Sequence, residues 1–114
     1  MKFLGIGDYC DLGALYLRLV ESGHEVKVYV ENADYHGIYA GMLTFTPDWR
    51  SELDWIRQAG ANGIILFESA AKGTIQDALR QEGYQVIGGS AAAYFGSLHR
   101  IVQVFPLRGD VFRG

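Results

Sequence analysis

Lys2-Phe3-Leu4-Gly5-Ile6-Gly7, then Asp8-Tyr9-Cys10-Asp11, then Leu12 to Ser22, then Val26-Lys27-Val28-Tyr29-Val30: this run decides the fold. It reads as strand, glycine-bearing loop, helix, strand. Two apolar strands joined through a helix form a βαβ crossover, which requires parallel pairing. The loop after the first strand then lies at the carboxyl edge, where open α/β sheets bind ligands. Fold and candidate site are therefore read from the same thirty residues.

The helices are marked by spacing and by their ends. Leu12, Leu15, Tyr16, Leu19 and Val20 recur at helical intervals and form one apolar stripe. Asp11 stands at the N-cap position and Gly23 at C′. A second helix is expected to start near Thr46-Pro47, to bury Trp49, Leu53 and Ile56, and to stop at Gly60. A third is expected from about Thr74 to Glu82, with Ile75, Ala78 and Leu79 inward and Gly83 closing it. Thr74 and Asp77 have the spacing of a capping box.

Two further apolar runs lie between these helices. Gly63-Ile64-Ile65-Leu66-Phe67 shows no alternation, as a strand covered on both faces requires. Tyr84-Gln85-Val86-Ile87 follows the third helix and leads into Gly88-Gly89-Ser90, and a fourth helix is expected from Ser90 to about Arg100. Strands alternating with helices predict a Rossmann-like open parallel sheet with helices on both faces. The first strand should lie between the second and the Gly63–Phe67 strand. Glu31 to Phe45 has no clear period and reads as a long loop.

Composition bounds the function. A chain of 114 residues makes one domain, residues 1–100, with 101–114 as a tail. The net charge of −3 offers no general attraction for nucleic acid or an anionic membrane. No apolar run approaches the roughly 18 residues of a membrane span. One cysteine, Cys10, cannot form an internal disulfide, and no signal-peptide pattern opens the sequence, so a cytoplasmic protein is expected.

The first loop partly matches the dinucleotide fingerprint G-x-G-x-x-G. Gly5 and Gly7 fit, but the third position is Cys10. Glu31 ends the second strand, where that fingerprint places its ribose-binding acid. A simpler account is that the two glycines serve a tight turn after a buried strand. Asp8 and Asp11 invite a receiver-type acidic site, yet Glu68 stands where its aspartate would be and no suitable lysine follows. Asp34-Tyr35-His36 begins like a cobalamin signature but has Tyr39 where glycine is needed. His24 and His99 have no second ligand at metal spacing. Cys10 lies near a helix N-terminus, a position that lowers a thiol pKa, though a small partly buried side chain is the plainer reading. Trp55 falls about 120° from its helix's buried stripe and reads as cover for the long loop rather than as a partner anchor.

Gly88-Gly89-Ser90 is the second candidate loop. Its glycines free backbone N–H groups to face an anion, and Ser90 offers a hydroxyl or a cap. In a parallel sheet it shares an edge with Gly7-Asp8-Tyr9. These six residues form the candidate substrate or phosphate site. No catalytic or metal-ligating residue is assigned.

Met1-Lys2-Phe3-Leu4, Glu21-Ser22-Gly23-His24-Glu25-Val26 and above all Val86-Ile87-Gly88-Gly89-Ser90-Ala91 carry a family resemblance. From Met1 to about Ala91 the chain resembles the N-terminal, pre-ATP-grasp domain of phosphoribosylamine–glycine ligase. The resemblance implies a place in purine biosynthesis, where ATP drives the joining of glycine to phosphoribosylamine. In that family this domain helps form the substrate cleft, and a separate ATP-grasp module holds ATP and magnesium. The family's first loop is Gly-x-Gly-Gly-Arg-Glu-His, and Gly5 to Asp11 is a divergent form of it. After the Gly-Gly-Ser segment the family continues Leu-Glu-x-x-Arg, which Ala91 to Arg100 does not follow.

The resemblance thus implies a domain without cofactor of its own and inactive alone as a ligase. The alternatives are a small nucleotide or sugar-phosphate binding module and an interaction domain for a separate ATP-grasp chain. Val102, Val104, Phe105 and Leu107 in the tail read as a dimer or partner interface, as an edge strand interrupted at Pro106, or as the product of a truncated or shifted reading frame.

Overall fold

The computed structural model describes residues 1–35, 37, 39–68 and 73–88. Among the described residues five strands form one sheet: β1 (Lys2–Gly7), β2 (Glu25–Val30), β3 (Thr44–Phe45), β4 (Gly63–Phe67) and β5 (Gln85–Ile87). Their order is β3-β2-β1-β4-β5, and every pairing is parallel. β1 lies between β2 and β4, as the crossover rule requires. The chain is thus an α/β protein of Rossmann-like architecture. Among the described residues the α-helices are α1 (Gly13–Glu21), α2 (Leu53–Gln58) and α3 (Gly73–Gln81). No helix among the described residues is long and apolar enough to cross a membrane.

The central strands divide their side chains between two apolar layers. Phe3, Val26, Val28, Ile64 and Leu66 face α1 and pack with Tyr16 and Leu19. Leu4, Ile6, Ile65 and Phe67 face the opposite way, onto Trp49, Ile56 and Leu79. All five residues of β4 are buried, which is why its sequence shows no alternation. Gly23 and Gly83, at φ of 92° and 96°, turn the chain after α1 and α3 in the left-handed conformation that glycine adopts without strain.

Several local expectations are corrected. Glu31 to Phe45 is not all loop: Thr44 and Phe45 pair with Lys27 and Val28 as an edge strand, and Ala33–Tyr35 makes a 3₁₀ turn. Two paired residues are too few to leave a period in the sequence. Asp11 does not cap α1, whose N-cap is Leu12 with no side-chain cap. α2 begins later than Thr46-Pro47. Asp48 is extended and accepts from the Arg50 N–H at 3.0 Å, a 3₁₀ turn spans Trp49–Glu52, and α2 follows. Thr74 lies inside the first turn of α3 and is not its N-cap. Val20 and Ala78 are exposed, and Gln76 is buried on α3 instead.

Trp55 lies on the face of the sheet that carries Leu4, beside two lysines. Its indole packs beside the Leu4 layer, with the Lys27 ammonium 4.4 Å and the Lys2 ammonium 5.2 Å from the ring centroid. Lys27 also pairs with Glu52 at 2.6 Å. The expected fourth helix and the 101–114 tail lie outside the described residues.

Candidate functional site at the carboxyl edge of the sheet

β1 and β5 both run parallel to β4, so the segments that follow them leave on one edge of the sheet. Gly7 ends β1, Asp8 and Tyr9 follow it, and Gly88 follows β5. The structure brings these four to a common edge. Gly89 and Ser90 lie outside the described residues. Gly88 packs tightly beneath α3, where a Cβ would collide with the Gln76 side-chain amide.

Glu68 lies between the two loops, directly after β4. It continues the face of Ile64 and Leu66, so its side chain points toward α1. One carboxylate oxygen accepts from the Leu12 N–H at 3.1 Å and the other from the Tyr16 hydroxyl at 2.6 Å. The Asp11 backbone also donates to it. Burial raises the pKa of this carboxyl above the ordinary value, and its hydrogen-bond donors act in the opposite direction.

The two glycines of β1 make this arrangement sterically feasible. A Cβ on Gly5 would fall inside the Tyr16 ring, and one on Gly7 would lie 2.7 Å from the Glu68 carboxyl carbon. The Gly-x-Gly spacing thus puts two vacant positions on one face of a buried strand, and the two side chains fill them. Expecting the glycines only to serve a tight turn overlooked this packing. A signal was available: a helix-facing strand with glycine at alternate positions needs something large inserted against it.

Cys10 occupies the third fingerprint position with φ of 60°, a left-handed conformation for a residue that carries a Cβ. Its thiol is 5% exposed. Burial, then the Glu68 and Asp11 charges, push its pKa up to about 11. The helix N-terminus therefore does not activate this thiol, because Glu68 already lies against that helix end. A buried and unreactive side chain is what the geometry supports.

On the other side of β1, the Tyr9 and Tyr35 rings meet edge to face at 5.0 Å, and both are exposed. The ladder between β1 and β2 runs on past the strands, through Glu31 N–H to Gly7 C=O and Asn32 N–H to Asp8 C=O. Tyr29 donates its hydroxyl to Glu31, which raises the tyrosine pKa. Beside them a cleft of about 370 Å³ opens between the ends of β2 and β3, lined by Tyr29, Glu31, Phe45, Thr46 and Pro47. Glu31 was legible as the acid at the end of β2. The cleft was not, because a two-residue β3 leaves no period in the sequence.

No protein-family model, curated protein or solved structure matches the chain.

Proposed function

We propose that this chain is a pre-ATP-grasp-type module whose carboxyl edge forms one wall of a substrate cleft for a sugar-phosphate ligand. The observation that carries the reading is the shared edge of Gly7-Asp8-Tyr9 and Gly88. The two loops stand two strand spacings apart, roughly 10 Å, the reach of a phosphorylated ribose. In this reading the sugar contacts the loop after β1, and the Gly88-Gly89-Ser90 loop takes the phosphate. The chain binds and orients, and ATP chemistry belongs to a separate ATP-grasp module. The resemblance at Val86 to Ala91 supports assigning the ligand to phosphoribosylamine–glycine ligase chemistry.

Titration of the ¹⁵N-labelled chain with ribose 5-phosphate and with glycinamide ribonucleotide tests this. Amide signals of Gly7, Asp8, Tyr9 and Gly88 are expected to move together and to saturate. Shifts confined to the amino edge, around Lys2 and Gly63, would overturn it, as would no shift at millimolar ligand.

A second reading is a free-standing binding module for a nucleoside or nucleotide. The cleft at Glu31 favours it, because a carboxylate at the end of β2 is placed to accept from ribose hydroxyls. In that case adenosine should shift Glu31 and Thr46 and leave Gly88 unmoved.

A further inference from the structure

We infer that Glu68 is the specificity-determining residue of the β1–α1 loop: its carboxylate fills, from within the chain, the position where a ligand anion would meet the backbone N–H groups of Asp11 and Leu12 that lead into α1. In an open α/β sheet the N–H groups around the N-terminus of the helix after the first strand form the usual anion-binding element. Here Leu12 N–H and the Asp11 backbone already donate to Glu68, and the Tyr16 hydroxyl donates from below at 2.6 Å. Gly7 leaves the space that the carboxyl group needs. The site is thus assembled from three segments: β1 supplies the space, the turn into α1 together with Tyr16 of α1 supplies the donors, and the residue after β4 supplies the anion.

The consequence is a rule about ligand charge. A phosphate brought to the β1 loop meets a carboxylate and finds the Leu12 and Asp11 N–H groups engaged. Like charges at a few ångströms repel strongly in a partly buried place. The loop therefore accepts neutral hydroxyl-bearing or cationic groups and refuses phosphate. Any phosphate the protein binds is directed elsewhere along the edge. This inference rests on the carboxyl edge being the ligand edge, but its test needs no natural ligand.

The probe is inorganic phosphate, read by the Leu12 amide signal and by thermal midpoint against chloride of equal ionic strength. In the wild type the Leu12 amide should not respond. Glu68→Ala opens the position, and phosphate should then move the Leu12 amide and raise the midpoint, with affinity at least tenfold above the wild type. Glu68→Gln keeps the shape and loses the charge, and a severalfold gain is expected. If the alanine chain does not fold, the glutamine chain alone decides. A saturating Leu12 response in the wild type overturns the inference, as does a folded variant that gains nothing. Failure of ribose ligands to bind the wild type would remove the proposed function and leave this result standing.

Discussion

Gly5 and Tyr16 share one volume: a Cβ built on Gly5 would sit 2.5 Å from the Tyr16 Cζ atom. The tyrosine is fully buried, and its hydroxyl reaches past the strand to Glu68. The first glycine of the loop motif thus serves to bring a phenol, rather than a ligand, against the backbone.

Gly5→Ala should therefore destabilise the fold by about 1–3 kcal/mol, the usual cost of overpacking a core. Urea denaturation measures it. Gly37→Ala, where a Cβ meets nothing within 4 Å, is the control and should change stability far less. Equal effects at the two positions would refute the account.

Tyr16→Phe keeps the packing and removes one donor from a buried carboxylate. A loss of about 1–3 kcal/mol is expected, within the range for hydrogen bonds to charged groups. The same change should raise the Glu68 pKa further, which the carboxyl carbon chemical shift reports. An unchanged pKa would mean that the hydroxyl does not serve the carboxylate.

Glu68 and His24 should tilt the stability profile in opposite directions. The folded chain holds the Glu68 proton more tightly than the unfolded chain does. Its contribution is fully present below the ordinary carboxylate pKa and is lost as pH rises through the raised folded value. His24 is displaced downward by burial and then by the N-terminal ammonium, whose nitrogen lies 3.1 Å from its Nδ1. Its contribution is present above the ordinary imidazole pKa and is lost as pH falls through the depressed folded value. Denaturation midpoints across pH 4 to 8 should lose the first slope in Glu68→Gln and the second in His24→Gln. Profiles that overlay the wild type would contradict both assignments.

Cys10 should resist thiol reagents. With its pKa near 11 and 5% exposure, labelling of the native chain at pH 8 should run about a hundredfold or more below that of the denatured chain. Comparable rates would show that the thiol is open to solvent.

The purified 114-residue chain should release no phosphate from ATP in the presence of glycine. Phosphoryl transfer needs carboxylates to hold magnesium and cations on the phosphates. After Ser90 the sequence supplies a single carboxylate, Asp110. Release above a blank would contradict this.

Much of the architecture was legible because it rests on patterns that many residues share. The unalternating Gly63–Phe67 run, the crossover through α1 and the turns at Gly23 and Gly83 are each set by local chemistry. What was illegible depends on single contacts between distant segments. β3 is two residues long and owes its existence to β2. Val20 is helical yet exposed, because the sheet beneath α1 is already covered by Tyr16 and Leu19. Gln76 is buried because Gly88, arriving from β5, leaves room for its amide. The partnership of Glu68 with Leu12 and Tyr16 joins residues more than fifty positions apart, and neither stretch announces it alone. For the site, the common edge was readable from the topology, and the group that occupies its centre was not.

β1 is the first strand of the chain and the middle strand of the sheet, and this affects how the molecule assembles. Lys2 faces Glu25 on one side and Gly63 on the other, so the second ladder closes over more than twice the length of chain. Loop-closure entropy makes that second closure roughly 1 kcal/mol harder before any contact rewards it. The β1–α1–β2 unit can therefore gather first and hold α1 against one face. Only with β4 docked does Glu68 reach the Leu12 amide and the Tyr16 hydroxyl. One carboxylate thus reports that β4 is in place: a β1–α1–β2 unit without β4 would leave the Leu12 amide without its Glu68 acceptor.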